Sequence, residues 1–143
     1  MKKYGYLFSL LFLLFILLSN SVMAVTHSSV ILNGGGDVLP SKSVNVSLGA
    51  LAPSATYNII CYIDTQYPFQ VVRFGSHFSD DTSFISFFSL NGDEILQGQL
   101  RVGHNVAVIA GSFTNPSTAS ISFTNLDQDN LFNVNNCYAI PTS

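Results

Sequence analysis

The sequence predicts an all-β fold, a two-sheet antiparallel β-sandwich, on three observations. Apolar and polar residues alternate with period two in segment after segment. Turn residues separate these segments at short, regular intervals. No window sustains the i, i+3, i+4, i+7 spacing of an amphipathic helix.

The elements follow in chain order. Lys2 and Lys3 precede an apolar run from Tyr6 to Leu18, a polar step at Ser19-Asn20-Ser21, and Val22-Met23-Ala24. That is the layout of a secretory signal peptide, with cleavage expected after Ala24. The uninterrupted run Leu10 to Leu18 is shorter than the about 20 residues needed to span a bilayer. No Cys follows it to carry a lipid. The expected organisation is a signal peptide over 1–24 and a single domain over 25–143. A bacterial, exported protein, periplasmic or extracellular, is the matching expectation, with no membrane insertion of the mature chain.

Within 25–143, a strand is expected at 29–33, then a loose loop at Gly34-Gly35-Gly36-Asp37. Val44, Val46 and Leu48 alternate with Asn45 and Ser47, giving a strand over 44–51. Tyr57, Ile59, Cys61 and Ile63 share the apolar face of a strand over 56–64, so Cys61 points inward. Further strands are expected at 69–75, 83–90, 94–102, 105–113, 118–126 and 131–140. Phe84, Phe88 and Leu90 alternate with Ile85 and Phe87, apolar on both faces, which predicts a central strand. Val106, Val108 and Ala110 against Ala107 and Ile109 also read as buried on both sides. Asn91-Gly92 is a hairpin signal, because both residues tolerate positive φ. Asn115-Pro116 and Asp127-Gln128-Asp129-Asn130 mark later turns. About eight to nine strands in two sheets suit an Ig-like or jelly-roll sandwich.

The last strand breaks the alternation. Phe132, Val134, Asn136 and Tyr138 share one parity, and Cys137 has the other. For Phe132 and Cys137 both to face the core, a bulge must fall near Asn135-Asn136. The two cysteines, Cys61 and Cys137, are an even pair in an exported chain and predict one disulfide. It would close a loop of about 75 residues, worth roughly 4–5 kcal/mol in the chain-entropy model.

Leu51-Ala52-Pro53-Ser54-Ala55-Thr56-Tyr57, followed by Asn58-Ile59-Ile60-Cys61, resembles the tyrosine corner of fibronectin type III and related Ig-like sandwiches. The resemblance covers 51–63 only. It implies a sandwich in which the Tyr57 hydroxyl bonds back to upstream backbone, and it implies nothing functional. Six strands are expected after this corner, which that family places late, and the chain has no Trp.

Beyond Ala24 the basic residues are Lys42, Arg73 and Arg101, against eight acids. This acidic balance disfavours nucleic acid and anionic lipid surfaces. Catalytic motifs are missing: no Gly-x-Ser-x-Gly elbow, no His-Glu-x-x-His, no Cys-x-x-Cys, no phosphate loop. Ser76, His77 and Asp80 make a poor triad, because neighbours on a strand point to opposite faces. Asp80, Asp93 and Asp127 would serve a glycan hydrolase only if two of them converged in one cleft. Asp127, Asp129 and Asn130 look like loop oxygens for Ca²⁺, without the Gly and distal Glu of an EF-hand; no other cofactor is expected. Tyr62, Tyr67 and Phe69 are the candidate ligand contacts. The leading expectation is a non-catalytic binding module for a protein or glycan partner. The alternative is a pilin-like structural subunit with residues 25–30 as a donor strand.

Overall fold

A computed structural model describes residues 28–80, 82–88 and 93–142. The expected signal peptide, His27 and the Asn91-Gly92 turn lie outside the described residues. Among the described residues ten strands run in chain order: β1 (Val30–Leu32), β2 (Gly36–Val38), β3 (Ser43–Ser47), β4 (Thr56–Thr65), β5 (Val71–His77), β6 (Phe84–Phe88), β7 (Gln97–Gln99), β8 (Gly103–Ser112), β9 (Ser120–Asn125) and β10 (Phe132–Pro141). They form two antiparallel sheets. One has the order β1-β10-β4-β8-β6, with β2 also on β10, and the other has the order β3-β9-β5-β7.

The pairing is nested. β2 pairs β10, β3 pairs β9, β4 pairs β8 and β5 pairs β7. The chain is thus one long antiparallel ribbon, doubled back near β6 and rolled. From β2 onward each strand lies in the opposite sheet from the one before it. This is the jelly-roll arrangement, which decides between the two sandwich types expected.

The inward faces interdigitate as alternation requires. Ile59, Ile63, Ile109, Ile121, Phe113, Phe123 and Phe132 are fully buried, and each such side chain contributes about 1.5–3 kcal/mol through removal from water. Phe74 of β5 stacks on Phe87 of β6 at 5.2 Å and meets Phe123 edge-on at 5.7 Å, linking the sheets. Cys61 and Cys137 are bonded and buried. The bulge falls where the parity conflict put it. The β10–β4 register runs Val134↔Ile63 and then Cys137↔Cys61, three steps on β10 against two on β4. Val134 and Cys137 are both buried, while Asn135 and Asn136 face solvent. The Tyr57 hydroxyl accepts a hydrogen bond from the Ala52 amide at 2.9 Å, so the chain before β4 is tied back locally.

Several expectations need correction. Gly34–Asp37 is not a loose loop. Gly34 bridges Val46, and β2 begins at Gly36. A Cβ on Gly34 would lie 2.3 Å from the Asn45 carbonyl oxygen, and its φ is +124°, so the close approach requires glycine. The 44–51 strand ends at Ser47, where a turn closed by Leu51 N to Leu48 O takes over. The 83–90 strand is described to Phe88 and lies at a sheet edge, not at the centre. Its second apolar face is partly exposed, with Phe84 54% accessible. The outer face of β8 is open too, with Val106 43% accessible. The 94–102 strand contracts to Gln97–Gln99, because the chain leaves β6 after Ile95 N bonds Phe87 O and crosses to the other sheet. The donor candidate 25–30 is partly committed, since Val30 already pairs Ala139.

Candidate functional site

At one end of the β10-containing sheet, register aligns four polar outward side chains. Asp37 of β2 faces Asn133 of β10, Asn133 faces Asp64 of β4, and Asp64 faces His104 of β8. At strand spacings of about 4.8 Å the row spans roughly 14 Å. It is hydrogen-bonded at both ends. His104 Nδ1 lies 2.7 Å from Asp64 Oδ1, and Asn133 Nδ2 donates to Asp37 Oδ1 at 2.8 Å. The bulge then adds a fifth member, as Asn135 Nδ2 donates to Asp64 Oδ2. Asp64 is therefore clamped on both oxygens. The His104 hydrogen bond holds its carboxyl below the usual 3.8; burial opposes that, and the Asn135 bond adds to it.

Shallow depressions open on both sides of the row. One is bordered by Tyr62, Val106 and the bulge asparagines, the other by Tyr67 and Leu131, and Asp64, His104 and Asn133 line both. Tyr62 stands on the outer face of β4, 42% accessible, edge-on to Tyr138 at 6.1 Å. Tyr67, equally accessible, lies in the β4–β5 loop. Phe69 follows it at 77% accessibility and with φ +65°, a left-handed conformation that costs a bulky residue about 1–2 kcal/mol. The structure thus brings Tyr62 and Tyr67 to one polar row. Phe69 stays on the same loop but lines neither depression.

A buried polar cluster holds this end in place. The Thr65 hydroxyl donates to Gln70 Oε1, and Gln70 Nε2 donates to the Asn130 and Leu131 carbonyls at 2.8 and 3.1 Å. Asn125 Nδ2 donates to Val38 O at 2.9 Å and to Asn130 O at 2.8 Å, while its Oδ1 accepts from Asp127 N at 2.9 Å. Thr65, Gln70 and Asn125 are all buried. They join the β4–β5 and β9–β10 loops beneath the exposed aromatics.

The calcium candidates are arranged differently. Asp127 Oδ1 accepts from the amides of Asp129 and Asn130 at 2.7 and 3.0 Å, so it closes its own turn. Those bonds, the Asp129 amide first, lower its carboxyl below the usual value. Among the described residues no three His, Cys, Asp or Glu side chains gather as a metal site. Asp80 likewise closes its loop by accepting from Thr82 N and Ser83 N. Asp80 follows β5 at the end where His77 pairs Ser120, and Asp127 follows β9 at the end where Val72 pairs Asn125. These two acids therefore lie at opposite ends of one sheet and share no cleft. Ser76 and His77 are exposed neighbours on β5.

Sequence reading missed Asp37, Asp64, His104, Asn133 and Asn135 as a group. Asn135 and His104 are 71 and 40 residues from Asp64, and only sheet register makes them neighbours. No family model matches the chain, and no curated protein matches it. Fold and site together define a small disulfide-linked jelly-roll domain with a polar and aromatic patch on one sheet. Among the described residues no helix is long and apolar enough to cross a membrane.

Proposed function

We propose that this protein is an exported, non-catalytic binding module whose partner is a glycan, held at the Asp37–Asn133–Asp64–His104 row. The observation that carries the reading is that row itself, four polar side chains on four adjacent strands beside the exposed ring of Tyr62. Sugars offer alternating hydroxyl and C–H faces. Pre-bonded carboxylates, amides and an imidazole suit the hydroxyls, and a tyrosine ring suits the C–H face. Strand-borne groups are held rigidly, so little ordering entropy opposes binding. The exported location rests on the N-terminal basic and apolar pattern together with the buried disulfide.

The test is titration of ¹⁵N-labelled protein with neutral, amino and acidic oligosaccharides. Shifts at Tyr62, Asp64, His104 and Asn133 that vanish in Tyr62→Ala and Asp64→Ala would support the reading. Shifts elsewhere only, or none at millimolar sugar, would end it.

A structural subunit is the second reading. One observation favours it: on the same sheet Ile31, Tyr138, Ile60, Val108 and Phe88 stand in one cross-strand row on the outward face. An uncovered apolar row of this kind suits packing into an assembly.

A further inference from the structure

The row carries two acids at a fixed separation. Asp37 and Asp64 each face Asn133, from opposite sides of β10. Cα separations in an antiparallel ladder alternate between about 4.5 and 5.5 Å, so the two acids stand about 10 Å apart on one outward face.

The fold leaves both carboxylates able to accept more. Asp37 is exposed, and among the described residues its side chain takes one hydrogen bond, at Oδ1 from Asn133 Nδ2. Asp64 accepts one bond at each oxygen, from His104 and from Asn135. Each oxygen keeps a further lone pair for a donor above the sheet.

No permanent cation offsets them. Among the described residues neither depression beside the row has a Lys or Arg in its lining. Arg73 stands on the outward face of the other sheet, between buried Val72 and Phe74. Lys42 precedes β3, also in that sheet. Arg101 lines the cleft between β7 and β8. With His104 neutral, the row therefore presents the two negative charges of Asp37 and Asp64. Tyr62 borders it on one side and Tyr67 on the other.

On the reading that the row binds a glycan, we infer that its ligand is a linear amino sugar chain, β-1,4-linked and carrying free 2-ammonium groups. In such a chain every second sugar turns the same edge to the protein, so its ammonium groups recur at close to the spacing of Asp37 and Asp64. The sugar between them turns its other, hydroxyl-bearing edge to Asn133. The tyrosine rings meet sugar C–H faces from the two flanks. Ammonium–carboxylate hydrogen bonds are roughly twice as strong as neutral ones. N-acetylation removes that charge, and a uronic acid would meet two like charges, so the same pair of acids selects against both.

The probe is the β-1,4-linked tetramer of glucosamine, titrated into ¹⁵N-labelled protein beside its N-acetylated form and the glucose tetramer. The glucosamine tetramer should bind about tenfold or more tighter than either, the effect of one hydrogen bond to a charged group. That advantage should shrink at about 1 M salt, where screening acts over about 3 Å. In Asp37→Asn, an isosteric change at an exposed position, the ratio of glucosamine to N-acetylated affinity should fall toward one. Equal binding of all three tetramers at the row would overturn the inference and leave the glycan reading standing. A preference unchanged in Asp37→Asn would do the same. Binding by none of the three would end both. Equal binding of acetylated tetralysine, which has the four charges without the rings, would overturn the inference in favour of a basic protein partner. The comparison of ligands decides on the wild-type protein alone, even if Asp37→Asn does not fold.

Discussion

Cys61 and Cys137 face each other directly across β4 and β10, with Cα atoms 4.1 Å apart, one step beyond the bulge. In the rolled ribbon β4 is the mate of β8, and β10 is the mate of β2. The disulfide therefore joins one turn of the roll to the next and does not lie along the ribbon. Every ribbon pairing outside the β6 region is distant in sequence, so closing the roll carries a large entropy cost. Replacing both cysteines by Ala should lower stability by about 2–5 kcal/mol, read from the denaturant midpoint. A loss under about 1 kcal/mol would show that the strands close the roll without the bond.

Asp64 ties the site to pH. Its folded-state carboxyl titrates below 3.8, first through His104, against burial, and further through Asn135. A lowered value of this sort adds stability that is fully present above the unfolded value, about 3.9. That stability is lost as pH falls through the folded value. Melting temperature should therefore drop below about pH 4, and Asp64→Asn should drop less over the same window. If Asp64→Asn followed the wild type through that window, the His104 and Asn135 clamps would carry no weight in solution.

Asn125 links three chain segments from a fully buried position, through Val38 O, Asn130 O and Asp127 N. Asn125→Ala removes the side-chain partner of Val38 O and Asp127 N, while Asn130 O keeps its bond from Gln70 Nε2. Each buried group left unsatisfied costs about 1–3 kcal/mol. A loss of about 2–4 kcal/mol is expected, together with faster amide exchange in the β9–β10 loop. A stability change below about 0.5 kcal/mol would mean that water replaces the side chain there.

Period-two alternation made most strands legible, because a strand with one buried face must alternate. The bulge was legible for the same reason: Phe132 and Cys137 cannot share a face without an extra residue. β2 was not legible. Gly34, Gly35 and Gly36 carry no side chains to alternate, and their role depends on the backbone of β3 and β10 passing close by. The edge position of β6 was hidden as well, since Phe84 and Phe88 look like core residues but lie on the open outer face. Asp64 and His104 were separately ordinary. Only the β4–β8 register makes them a pair.

The bulge separates the needs of the fold from those of the site. Without one of Asn135 and Asn136, β10 would alternate cleanly from Phe132 to Ala139, with every core side chain still inward. The extra residue is therefore not required for packing. It turns Asn135 onto Asp64 and sets both asparagines beside Tyr62. Bulges commonly re-aim side chains next to binding sites. Deletion of Asn135 should leave the disulfide formed and stability within about 1 kcal/mol of wild type, a change typical of a surface position. Glycan shifts at Tyr62 and Asp64 should vanish, and the acid-side fall in melting temperature below about pH 4 should become smaller. A deletion variant that fails to fold, or one that keeps full glycan response, would show that the bulge serves strand closure and not recognition.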